Sequence, residues 1–100
     1  MKTKLPPWPT IAVVGLRRAQ FAELVARCGS AAKLRFVNAD QSETVFPQAD
    51  AAFLLTRFVE HRWMDASLRT FPRSRVLLHG GGITSLAGRI LSLAGMALQT

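Results

Sequence analysis

Three short stretches of this chain carry residues suited to holding an anion. One is the triplet Gly80-Gly81-Gly82, followed by Thr84 and Ser85. Glycine has no Cβ, so a ligand can come close to the backbone, and the free N–H groups and positive dipole end of a following helix favour negative charge. The second stretch is Gly15 with Arg17 and Arg18, and the third is Thr56, Arg57, His61 and Arg62. The planar fork of arginine matches phosphate oxygens in pairs. His79, directly before the triplet, is a further candidate contact. The chemistry this set points to is the binding of a phosphate-bearing group.

The charge balance agrees. Thirteen Lys and Arg stand against six Asp and Glu, a formal net charge of +7, and ten of the thirteen are Arg. Such an excess suits polyanionic partners such as nucleic acid or an acidic protein, although it also serves solubility alone. A chain of 100 residues makes one core. No apolar run approaches the roughly 20 residues needed to span a bilayer, so no membrane partner is expected. The start, Met1-Lys2-Thr3-Lys4 and then Leu5-Pro6-Pro7-Trp8-Pro9, lacks the apolar segment of a signal peptide, and a cytoplasmic location is expected. The lone Cys28 excludes an internal disulfide and a multi-cysteine metal cluster.

The elements that must position these residues can be read from periodicity. Residues 1–9 form an extended proline-rich arm that Trp8 could anchor. A single domain follows over residues 10–100. Thr10 to Val14 is a continuous apolar strand ended by Gly15. A helix then places Phe21, Leu24, Val25 and Cys28 on one face and closes at Gly29 as a C′ residue. Lys33 to Val37 alternates as an edge strand, and Asn38 to Pro47 is a polar connection with a helical turn around Ser42 to Val45. Ala51 to Leu55 is a third strand. A helix from about Val59 to Phe71 faces inward with Met64, Leu68 and Phe71, and carries Asp65 and Arg69 as an outer i,i+4 pair. Arg75 to Leu78 is the fourth strand, and a last helix runs from about Ser85 to Leu93.

Strands alternating with helices make a parallel sheet with right-handed crossovers. The expected fold is an α/β, small Rossmann-like or flavodoxin-like three-layer domain with a four-stranded parallel sheet in the order 2-1-3-4. Ligands of such folds bind beyond the carboxyl ends of the strands, at the switch point between strands 1 and 3. Four arginines, two histidines, three hydroxyls and four glycines fall on that edge. Each also has a plainer role: Gly15 as a tight turn, Arg17 and Arg18 as a solvated helix start, Thr84 and Ser85 as N-caps, His61 as a cap, His79 as a buried ring with satisfied nitrogens. Positive charge at helix starts opposes the dipole, however, unless an anion is near.

Standard cofactor and catalytic signatures are missing. No G-x-G-x-x-G follows strand 1, no Gly-Lys-Ser/Thr occurs, and the acids form no pair for acid–base work or Mg²⁺ binding. Cys28 reads as a core residue. The expectation is therefore a binding protein without catalytic residues, cofactor or metal.

The same positions resemble a bacterial family known as domain of unknown function 2325. The matching residues are Val13-Val14-Gly15, Ala49-Asp50, Thr56-Arg57-Phe58-Val59-Glu60-His61 and Gly82-Ile83-Thr84-Ser85-Leu86, within residues 10 to 94. Arg57 stands where that family has Asp, and Glu60 where it has Ser. The resemblance implies a Rossmann-like fold and draws attention to Thr56, His61, Thr84 and Ser85. It implies no reaction.

Three functions are open at this point. The first is a nucleic-acid-binding regulator or accessory protein, with Phe58 and Trp63 as candidate stacking partners. The second is a receptor for a small nucleotide or phosphorylated metabolite. The third is an interaction subunit that pairs as a homodimer through the charge-free run Ile90 to Leu98.

Overall fold

The computed structural model describes residues 8–98. Its elements are β1 (Thr10–Val14), α1 (Arg18–Cys28), β2 (Lys33–Val37), β3 (Ala51–Leu55), α2 (His61–Thr70), a 3-10 turn (Arg73–Arg75), β4 (Val76–His79) and α3 (Ile83–Leu98). All pairings are parallel, and the order is β2-β1-β3-β4, the one read from the sequence. The chain reverses direction across the sheet between β1 and β3, so a crevice opens there at the carboxyl edge.

Burial explains the strand composition. Every residue of β3 is buried, as are Ile11 to Val14 of β1, because both central strands are covered on two faces. Ile11, Val13, Phe53 and Leu55 point to the layer that holds α1 and α3, where they meet Leu24, Cys28, Leu86 and Ile90. Val14 and Leu54 point to the α2 layer and meet Trp63. Trp63 is wholly buried. Its indole N–H donates to the Ala39 carbonyl at 2.9 Å, which leaves the ring free to contribute the roughly 2–3 kcal/mol of a large buried side chain. Phe46 stands edge-on to both Trp63 and Phe71, with centroids at 5.5 and 5.3 Å.

Several expectations are corrected. Trp63 is core and offers no face to a ligand. The inward stripe of α2 is Trp63, Ala66 and Ser67, whereas Leu68 is exposed. Ser67 tolerates burial because its hydroxyl donates to the Met64 carbonyl at 2.8 Å. Asp65 and Arg69 are exposed and form no ion pair; among the described residues those pairs are Arg27–Glu23 and Arg62–Glu60. On α1, Val25 is exposed, and Gly29 is right-handed rather than left-handed. No helical turn forms at Ser42 to Val45, because side chains take its carbonyls: the Gln41 amide donates to Glu43 at 2.8 Å and Arg62 to Ser42 at 3.0 Å. Trp8 is half exposed, whereas Pro9 is buried and its carbonyl accepts from Lys33 N–H at 2.8 Å.

The remainder of the arm, residues 1–7, lies outside the described residues. So do the side chains of residues 95–98 in the expected dimer seam. Of the rest of that run, Ile90 and Ala94 are core, and Leu91 is exposed. No helix among the described residues is long and apolar enough to cross a membrane.

Candidate anion-binding site

The carboxyl edge is built from three loops that end at helix starts. Gly15 makes the first turn with φ of +101°, the left-handed region that glycine alone adopts freely. A Cβ there would also come within 3.0 Å of Val59, so the turn packs directly on the β3–α2 loop. Arg17 is the extended N-cap of α1, its N–H held by the Gln20 side chain at 3.3 Å. Arg18 opens the helix, and both side chains are exposed.

The glycine triplet works differently from its sequence reading. None of the three has a positive φ. α3 begins at Ile83, so Gly82 occupies the N-cap position, and its carbonyl accepts from Leu86 N–H at 3.0 Å. Thr84 and Ser85 therefore lie within the first turn and are not caps. The Ser85 hydroxyl instead reaches back to the Gly82 carbonyl at 3.1 Å. Among the described residues, no partner accepts from the backbone N–H groups of Ile83 and Thr84. Space requires glycine most at Gly81, where a Cβ would fall 2.6 Å from Ser85 Oγ and 3.3 Å from His79 Nε2. At Gly80 a Cβ would meet only Thr56 Oγ1, at 3.3 Å, and Gly82 has open space around it.

His79 and Ser85 form what looks like a base and its nucleophile, with Nε2 and Oγ 3.2 Å apart. The other side of the ring shows otherwise. Arg89 Nη1 lies 3.2 Å from Nδ1, and a guanidinium only donates, so Nδ1 must be the acceptor. The ring proton then sits on Nε2, where it faces the Gly82 carbonyl at 3.1 Å. A ring protonated on Nε2 has no lone pair there to take the serine proton. This is the tautomer problem that disables a triad when its orienting acid is lost. His79 is buried and braces the loop, which removes it from the ligand contacts expected of it.

Thr56 is also committed to the scaffold. Its N–H and its hydroxyl both point to the His79 carbonyl, at 3.0 and 3.4 Å, and tie the ends of β3 and β4 together. Arg62 is a second brace: its guanidinium bonds Glu60 at 2.8 Å and the carbonyls of Ala39, Gln41 and Ser42 at 3.1, 2.7 and 3.0 Å. Four of its five N–H donors are thus engaged, three of them on the β2–β3 loop, so Arg62 serves chiefly to hold that loop. His61 is exposed at the start of α2.

What the fold brings together is a cleft of about 250 Å³ lined by Arg17, Gln20, Arg57, Phe58, Gly81 and Gly82, with Leu16, Leu55, Ile83 and Leu86 as its apolar wall. Arg57 is exposed and makes no ion pair or hydrogen bond among the described residues. None of the three helices has an acid in its first turn. The amino ends of α1 and α3 thus present positive dipole charge with no acid beside it, whereas at α2 the N-cap Glu60 pairs with Arg62. A larger cleft of about 640 Å³ adjoins it on the β2 side and shares Leu16, Arg17 and Phe58. His61, Arg62 and Thr84 line neither.

Sequence reasoning missed Arg89 and Gln20, whereas Phe58, singled out as a stacking candidate, lines both clefts. Arg89 had a signal: it is the one Lys, Arg, Asp or Glu between Val76 and Thr100, and a lone charge in an apolar helix usually has a partner. Comparison with protein-family models, with curated proteins and with solved structures finds no match to this chain.

Proposed function

We propose that this domain is a non-catalytic receptor for a small phosphate-bearing ligand, held at the carboxyl edge between β1 and β3. The observation that carries this reading is the smaller cleft, where Arg17 and Arg57 meet the glycine backbone and the open N–H groups of α3. Helix N-termini with free N–H groups hold phosphate well, and arginine adds charge-assisted bonds. The cleft's small volume, about 250 Å³, favours a compact phosphate group over a long polymer. The test is calorimetric titration with pyrophosphate at increasing salt. Binding that weakens steadily with ionic strength supports the reading, and no binding even at low salt overturns it.

Nucleic acid is the second reading, favoured by one observation. Lys33 and Arg35 project from the same side of edge strand β2 and are exposed, giving a cationic stripe outside the cleft. The remaining charge is dispersed, however, with Arg27, Arg69, Arg73 and Arg75 at the opposite end of the sheet. An oligonucleotide that binds more tightly than any small phosphate would select this reading.

A further inference from the structure

We infer that the larger cleft is a nucleoside site, so that the phosphate-bearing ligand is a free nucleoside phosphate with its sugar and base on the β2 side. This rests on the phosphate reading above and adds the ligand class to it. The clefts are continuous through Arg17 and Phe58, which line both. A ligand whose phosphates lie between Arg17 and Arg57 therefore has an adjoining space in which to place its remainder. That space measures about 640 Å³, within the roughly 300–1,000 Å³ of small-molecule pockets, whereas the phosphate cleft falls below that range.

The walls of the larger cleft suit a base and a sugar. Phe58 lines both clefts and is 53% accessible, so its ring has surface left over for a base. Phe21 and Phe36, which also line the larger cleft, form a parallel stack with centroids 4.2 Å apart and are only partly buried. Aromatic faces accept any base by stacking.

At the end of β2, Asn38 Oδ1 accepts from the Asp40 N–H at 2.8 Å. This bond fixes the turn and leaves the Asn38 amide to donate into the cleft it lines. The Asp40 carboxylate has no ion pair or hydrogen bond among the described residues, although Arg17 and Arg18 line the same cleft. A carboxylate only accepts, and two adjacent ribose hydroxyls are the donors that fit it. An acid just past the second strand also takes this role in dinucleotide folds that carry the glycine fingerprint.

The experiment measures affinities of pyrophosphate and of the four common ribonucleoside diphosphates by calorimetry, with the 2′-deoxy form of the best binder as control. At least one ribonucleoside diphosphate should bind tenfold or more tightly than pyrophosphate. Phe58→Ala and Asp40→Asn should each shrink that advantage while pyrophosphate itself still binds. Removing the 2′-hydroxyl should cost several-fold in the parent chain and less in Asp40→Asn, whose amide oxygen still accepts but carries no charge. If every nucleotide matches pyrophosphate within twofold, the nucleoside site is wrong and the phosphate reading stands. If pyrophosphate and nucleotides all fail to bind, both fall. If an oligonucleotide outcompetes every mononucleotide, the free-nucleotide assignment is overturned.

Discussion

Arg89 Nη1 sits 3.2 Å from His79 Nδ1 and also donates to the Leu78 carbonyl, while its guanidinium lies over the Phe53 ring at 5.2 Å. One arginine on α3 thus fixes the tautomer of a buried histidine and occupies a carbonyl of edge strand β4. Replacing it with leucine should remove about 1–3 kcal/mol of stability in a denaturant titration, because the carbonyl and the ring nitrogen lose their donor. The ring nitrogen shifts in NMR spectra should report Nε2–H in the parent chain and a mixture in the variant. A parent ring that carries its proton on Nδ1 would contradict the arrangement.

Arg57 projects into the cleft with no internal partner, so its removal separates binding from folding. Arg57→Ala should leave stability within about 0.5 kcal/mol. Affinity for pyrophosphate should fall roughly tenfold, the lower end for a charge-assisted bond made at an exposed site. Unchanged affinity would show that the anion is held elsewhere.

The glycine triplet makes a graded prediction. Gly81→Ala pushes a methyl group against Ser85 Oγ and should cost about 1 kcal/mol, the worth of the hydroxyl bond it displaces. In a Ser85→Ala background the same substitution should cost much less, a coupling that a double-mutant cycle reads directly. Gly82→Ser should be neutral or slightly stabilising, because serine is a better N-cap than glycine by a few tenths of a kcal/mol. It should also weaken phosphate binding, since its hydroxyl competes for the same N–H groups.

Burial raises the Cys28 thiol above its ordinary value, with the Arg27 charge opposing by a smaller amount. The side chain is wholly buried, and Sγ donates to the Ala87 carbonyl at 3.6 Å. The unfolded chain therefore loses this proton at lower pH than the folded one. Stability should be unaffected by this group well below pH 9 and should fall as pH rises beyond the ordinary thiol value of 9.0. In Cys28→Ala that alkaline decline should flatten. Thiol reagents should label the native chain only as fast as it opens, which a denaturant-dependent labelling series measures.

The topology was legible because its signals are local and strong. Ile11 to Val14 and Ala51 to Leu55 are unbroken apolar runs that suit only doubly covered strands, and their helical connections dictate parallel pairing. The carboxyl edge followed from that order. What stayed hidden depends on contacts across the fold. Arg57 and Arg62 look equivalent in sequence, yet one is free because its loop faces the crevice and the other is spent on three carbonyls of the β2–β3 loop. Trp63 displaced Leu68 from the inward face of α2 because its larger surface gains more from burial. His79 read as a ligand candidate, and Arg89, ten residues on in α3, turns out to hold its ring.

The all-parallel sheet has a kinetic consequence. It turns the amino ends of α1, α2 and α3 to the same side, so their fields add and are not cancelled by an antiparallel neighbour. An approaching anion is steered toward that side before it touches any residue. Salt should therefore act chiefly on how often encounters succeed, slowing association, while the lifetime of the bound complex is set by the short-range bonds within the cleft.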